Sequence, residues 1–336
     1  MLSRRLVLAA SLAASLAGAL GMGGAALAQS EPKSAPTGEK LPVVASFSIL
    51  GDFVKEVGGD RIALTTIVGP NGDSHVYQPT PADAKKLAAA KVIFVNGLGF
   101  EGWMDRLAKA SGTKALVVTA TKDITPRTRT AAEPQEDEDA HGHDHAKGKK
   151  DAHGHDQHDH GPIDPHAWQS IANAKVYVAN IRDGLIAADP AGKDAYTANA
   201  AAYTAKLDAL EGEVKAAMAA IPASQRRIIT SHDAFGYFGD AYGVTLIAPE
   251  GVSTESEASA KDVARIIRQI KAQKIPAVFL ENVSDPRLVQ RIANESGAKI
   301  GGELYTDALS DDKGPANTYI LMIRSNVKTL SSALSS

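Results

Sequence analysis

The stretch "KVIFVNGLGFEGWMDRLAKASGTKALVVTA", residues 91–120, decides the fold. "KVIFVNG" is a short continuous apolar run, the mark of a strand covered on both faces. "FEGWMDRLAKA" has helical spacing and "ALVVTA" is a second strand. Upstream, "PVVASF", "ILGDFVKEVGG" and "IALTTIV" run in the same strand, helix, strand order. "TPADAKKLAAA" adds a helix with Thr80 as its cap and Pro81 in its first turn. Strands that alternate with helices in this way form a parallel sheet with helices laid over it.

Downstream the alternation stops. From Thr121 to Gly161 the chain is mostly Asp, Glu, Lys, His and Gly, with too little to bury to offset the entropy of ordering, and it reads as a disordered excursion, loop 121–161. "PHAWQSIANAKVYVANIRDGLIAADP" resumes as a helix. "AGKDAYTANAAAYTAKLDALEGEVKAAMAAI" then keeps apolar residues at helical spacing for about thirty residues, a rod of ~45 Å. "RRIITS", "VTLIAP", "PAVFLE" and "AKIGGELY" are strands set between further helices. The fold expected is α/β: two (β/α) lobes with parallel-type sheets joined by a long rigid helix. The N-terminal lobe covers residues 41–188, the connecting helix 189–222 and the C-terminal lobe 223–336.

Residues 1–28 read as a signal peptide, with Arg4 and Arg5 at its start, an apolar run from Leu6 to Leu27, and "ALAQS" suited to cleavage after Ala28; a polar leader follows over 29–40. Losing the two arginines takes the formal charge from −3 to −5, which offers no basic surface for nucleic acid. The absence of cysteine leaves no disulfide, no thiolate ligand and no residue for a lipid anchor. The expectation is a monomeric protein in the periplasm.

Any metal must therefore be held by histidine and carboxylate. Seven of the ten histidines fall within residues 140–161: His141, His143, His145, His153, His155, His158 and His160. The other three are His75, His166 and His232, in "GDSHVYQPTP", "DPHAWQS" and "TSHDAFGYF". Each lies in a turn or helix start beside a strand or helix, the kind of place where α/β folds gather ligand groups. Singly each could be structural; spread over two lobes in like contexts, they suggest one site. Zinc prefers four ligands in a tetrahedron, so three imidazoles ask for a fourth donor. Asp307 in "ELYTDALS" is favoured and Glu281 in "VFLENVSD" is the other candidate, both just past an apolar strand. Three imidazoles weigh against manganese, which prefers more oxygen donors.

Taken together, "GDSHVYQPTP", "DPHAW", "TSHDAFGYF", "FLENVSD" and "LYTDALS" resemble the metal-binding cluster of periplasmic solute-binding proteins that serve ABC importers, and within it the zinc, or ZnuA-like, type. The resemblance runs from about Leu41 to Leu334. It implies two lobes tied by a rigid helix, one Zn(II) held in the interlobe cleft by His75, His166, His232 and Asp307, and an ABC permease as partner. Manganese-type relatives tend to carry a carboxylate where this chain has His232. The resemblance offers Glu281 a place behind the ligands and leaves its role open. A cysteine pair found in some zinc-type members has no counterpart here.

The expected function is capture of Zn(II) and its delivery to the permease, without catalysis, the histidine tract serving as an accessory that gathers zinc for the cleft or senses its abundance, with a solvating insertion as the alternative. An exported zinc hydrolase is the alternative from another class, although no H-E-x-x-H helix occurs. A manganese-type binding protein is the alternative within the family. With an ordinary imidazole pKa of ~6.5, metal affinity is expected to fall steeply below about pH 6.

Overall fold

A computed structural model describes residues 39–128, 163–255 and 257–335. The signal peptide, nearly all of the leader and the seven histidines of the tract lie outside the described residues.

The first lobe follows the expected alternation through β1 (Leu41–Phe47), α1 (Ser48–Gly58), β2 (Ile62–Val68), α2 (Pro81–Ala89), β3 (Val92–Val95), α3 (Met104–Ser111) and β4 (Leu116–Thr119). The four strands are parallel in the order β2-β1-β3-β4, with Val43 opposite both Leu64 and Val92. β3 is buried throughout, as its unbroken apolar run requires, whereas edge strand β4 leaves Leu116 and Val117 exposed. α2 opens with a reciprocal cap: Thr80 Oγ1 accepts from the Asp83 amide and the Asp83 carboxylate accepts from the Thr80 amide. α3 starts at Met104, later than "FEGWMDRLAKA" suggests, because Phe100 and Trp103 are buried ahead of the helix.

Order continues past Thr121 to Thr128. A two-residue strand β5 (Arg127–Thr128) pairs antiparallel with β6 (Ile163–Asp164), Arg127 opposite Asp164 and Thr128 opposite Ile163. α4 (Ile171–Ala188) and, after a single 3-10 turn, α5 (Lys193–Ala219) follow. The 27 residues of α5 bury Tyr196, Ala200, Tyr203, Leu207, Leu210, Val214 and Met218, a stripe of three- and four-residue steps. Such a helix is ~40 Å long.

The second lobe is built from β7 (Arg227–Ile229), α6 (Gly236–Tyr242), β8 (Thr245–Ile247), α7 (Ala260–Gln273), β9 (Ala277–Glu281), α8 (Pro286–Ser296) and β10 (Lys299–Leu304). β7 pairs with β8 and β9 with β10, all parallel, and β7 lies beside β9. The spatial order β8, β7, β9, β10 thus repeats that of the first lobe. α9 (Tyr319–Leu334) closes the chain, packed on α5, α1 and β10. One apolar core runs from the first sheet through α4, α5 and α9 to the inner side of the second lobe. A smaller core of Ile229, Val263, Ile266, Ile270, Val278 and Ile292 with their neighbours sits beneath α7 and α8.

Candidate metal centre

His75, His166, His232 and Asp307 come together. Each offers one ligand atom and these atoms lie within 4.8 Å of one another, with all four residues buried. His75 stands in the loop after β2, which is tied down by Tyr77 donating to Asp83 on α2 (2.9 Å) and by the His75 amide donating to Asp73 (2.8 Å). His166 follows β6 by two residues, His232 follows β7 and Asp307 follows β10. His75, His232 and Asp307 thus follow strands of the parallel sheets, where such sheets offer ligand groups, whereas His166 follows a strand of the antiparallel β5–β6 ribbon.

The Nε2 atoms of His75 and His166 are 3.3 Å apart. Asp307 lies 3.2 Å from His166 Nε2, 2.9 Å from His232 Nε2 and 3.8 Å from His75 Nε2. Donors at zinc bond lengths on the corners of a tetrahedron sit ~3.4 Å apart, so these spacings suit one shared ion. Neither carboxylate oxygen of Asp307, nor Nε2 of His232, makes a hydrogen bond of acceptable angle among the described residues. Buried polar atoms normally find partners, and these approach one another closely while facing a common point.

The far nitrogens of two imidazoles are held by carboxylates. Asp164 Oδ1 contacts His166 Nδ1 at 2.8 Å and accepts the His166 amide at 2.9 Å. Glu281 contacts His232 Nδ1 at 2.5 Å, accepts from the amides of Ser231 and His232, and accepts from Ser284 Oγ. Glu281 therefore stands behind His232, and Asp307 is the carboxylate among the converging atoms. Such backing fixes the ring and raises its basicity. Asp164 was not singled out in the sequence; an Asp two residues ahead of a candidate ligand is the signal that could have found it. Asp285, by contrast, is the cap of α8, accepting from the Arg287 amide.

The charges follow from this arrangement. Burial opposes the charged form of His166, but the Asp307 and Asp164 carboxylates outweigh it and push the imidazole up to about 9. Burial is likewise overcome at His232, where Glu281 and Asp307 hold it well above the ordinary imidazole range. Burial would raise Asp307, yet His232 and His166 hold it well below the usual carboxylate range. Arg127 extends the arrangement outward, with Nη1 3.3 Å from Asp164 and Nε 3.0 Å from Asp240 on α6. Gly236 leaves room for this pair: a Cβ there would stand 2.3 Å from Arg127 Nη1 and 2.4 Å from Asp164 Oδ2. Gly236→Ala is expected to destabilise the protein by about 1–3 kcal/mol, read as a lowered midpoint in chemical denaturation.

Buried imidazoles and a carboxylate from two lobes, gathered around one point, define a binding protein for a metal cation. The profile of a known family, described as "ZnuA: Zinc-uptake complex component A periplasmic", matches residues 43–333. The chain belongs to that family, the solute-binding proteins of metal ABC importers. It is 35% identical over 299 residues to the manganese-binding lipoprotein MntA of Halalkalibacterium halodurans, covering 89% of this chain and 90% of that one. It is 33% identical over 307 residues to the iron-binding protein YfeA of Yersinia pestis, covering 91% and 89%. Among solved structures, the periplasmic zinc binding protein TroA of Treponema pallidum superposes with a TM-score of 0.76 at 30% identity, over 88% of this chain and 99% of that one.

Proposed function

We propose that the protein captures Zn(II) in the periplasm with His75, His166, His232 and Asp307 and delivers it, as a monomer, to an ABC permease. The observation that carries this reading is the convergence of three buried imidazoles on one buried carboxylate. Three nitrogen donors to one oxygen favour zinc over the harder divalent ions. The relatives named for manganese and iron favour a second reading, in which the same cluster carries one of those ions. Metal analysis of protein purified without added metal, with titrations of Zn(II) and Mn(II), separates the two. At least one zinc per chain and much weaker manganese binding at the cleft are expected; manganese held as tightly there would replace the zinc reading.

A catalytic zinc keeps one position open for water or substrate. Asp307, fully buried and within 3.8 Å of Nε2 of each histidine, supports a closed site and so speaks against the hydrolase. Export with removal of the signal peptide after Ala28 is part of the proposal. A chain without cysteine has nothing to carry the lipid of its lipoprotein relatives.

The seven histidines at 141–160 complete the proposal as an accessory that gathers zinc for the cleft. Deleting residues 133–160 is expected to reduce zinc stoichiometry to one per chain and slow loading at scarce metal, with the cleft affinity unchanged. Loss of cleft affinity in that deletion would contradict the accessory role.

A further inference from the structure

His75 reaches the site on the loop between β2 and α2, and the chain around it is held from both lobes. Within the first lobe, Trp103 Nε1 donates to the Ser74 carbonyl at 2.8 Å and the Phe100 ring packs edge-on against the imidazole. Toward the second lobe, the Asn71 amide donates to the Leu309 carbonyl at 2.8 Å, and Asn282 Nδ2 donates to Asn71 Oδ1 at 3.2 Å. Asp73 joins the two sets. Its Oδ1 accepts the His75 amide at 2.8 Å, and its Oδ2 accepts from Thr254 Oγ1, in the loop between β8 and α7, at 2.6 Å.

The Thr254 loop leads back to the other side of the site. The Glu250 amide donates to the Ser231 carbonyl at 3.1 Å and the Asp233 amide donates to the Gly251 carbonyl at 2.9 Å, so the loop is stitched to the residues on either side of His232. One path of hydrogen bonds therefore runs from the flanks of His232 along residues 250–254 to Asp73 and the His75 amide. The bond from Thr254 ends on a carboxylate and is stronger than a neutral one. Asp164 offers a comparison. It too stands two residues ahead of a histidine and accepts that residue's amide, at 2.9 Å, but it also holds the His166 ring at Nδ1. Its link to the second lobe runs through Arg127 to the exposed carboxylate of Asp240, a kind of pair that contributes little.

We propose that Asp73 is a positioning residue for His75 and that Thr254 is the residue through which the second lobe sets it. With the lobes together, Thr254 occupies Oδ2 and fixes the carboxylate, which keeps Oδ1 aimed at the His75 amide. Separation of the lobes takes the hydroxyl away, Asp73 turns, and the His75 loop loosens. The imidazoles of His75 and His232, contributed by opposite lobes, thus let go of the ion together rather than in turn. This inference rests on the metal-site reading above.

The test compares the unaltered protein with Thr254→Val, which removes the hydroxyl and keeps shape and charge, with Thr254→Ser, which retains it, and with Asp73→Ala alone and combined with Thr254→Val. Zinc release into excess chelator, the visible absorption of the Co(II)-loaded protein and hydrogen exchange of residues 72–78 in the metal-free protein are measured for each. Thr254→Val is expected to release zinc about tenfold faster, near the lower end for a hydrogen bond to a charged group because Asp73 is half-buried. It should also weaken the Co(II) bands and speed exchange at the His75 amide. Thr254→Ala, with the same expectation, stands in if the valine prevents folding. Thr254→Ser should match the unaltered protein in all three measurements. Asp73→Ala should release zinc faster still, and adding Thr254→Val to it should change nothing further. Unchanged release, spectrum and exchange in Thr254→Val would overturn the tie, as would Thr254→Ser behaving like Thr254→Val or additive effects in the double variant. Failure of the unaltered protein to bind either ion would instead overturn the metal-site reading and the role toward the ion with it, while exchange at the His75 amide still reads the tie to Thr254 without metal.

Discussion

Asparagine in place of Asp307 is expected to weaken zinc binding by about two to three orders of magnitude, taking a binding free energy of ~10–16 kcal/mol shared among four donors. The substitution keeps the shape and removes the charge. In the metal-free form the carboxylate lies 3.2 and 2.9 Å from Nε2 of His166 and His232, so the substitution also removes the anion that offsets their protons, and the metal-free melting temperature is measured beside the affinity. Two effects oppose one another in the measured affinity. Loss of the anion weakens metal binding directly. It also removes a group that pushes His166 and His232 up, so protons compete less well for those nitrogens. The direct effect is larger, because a deprotonated donor is lost outright. Competition against a chelator of known affinity measures it. An affinity unchanged in Asp307→Asn would mean that the carboxylate is no ligand and that water takes its place, which would restore the hydrolase reading.

Acidification is the second large lever, and its onset differs from the one an ordinary imidazole would set. His166 is pushed up to about 9 by Asp307 and Asp164 against the pull of burial, and Glu281 with Asp307 raises His232 well above its usual range. Both rings therefore carry protons in the metal-free protein at neutral pH, and metal must displace them. The sign is that affinity falls as pH falls, and with His166 at about 9 the fall begins near pH 9 rather than near pH 6. With two protons released per ion, the dissociation constant is expected to rise about a hundredfold for each unit between pH 8 and 6. A pH indicator in weak buffer should count two protons released per zinc at pH 7. A dissociation constant that did not move over this interval would exclude histidine ligation.

Much of this was legible from the residues. Strand and helix order could be read because Val92–Val95 and Ala277–Glu281 are near-continuous apolar runs and α5 repeats its buried residues every three or four positions. Three candidate ligands stood out because only His75, His166 and His232 lie outside the histidine tract. What stayed hidden depends on contacts distant in sequence or too short to leave a period. The β5–β6 ribbon has two rungs, contributed by Arg-Thr and Ile-Asp, and no alternation can show in two residues. Asp307 and Glu281 are both acidic residues just past a strand; only the fold reveals that one faces three imidazoles while the other turns to Nδ1 of His232. The bonds from Trp168 and Gln169 to Thr306 span 138 and 137 positions, beyond any local pattern.

The ribbon has a further consequence. Because Arg127 lies opposite Asp164 and Thr128 opposite Ile163, the two ends of whatever lies between them are already neighbours. Closing a chain segment between two pinned ends costs only about 0.6 kcal/mol more for each doubling of its length. A change in the number of residues between Thr128 and Ile163 is therefore expected to leave the ribbon paired and Asp164 in contact with His166.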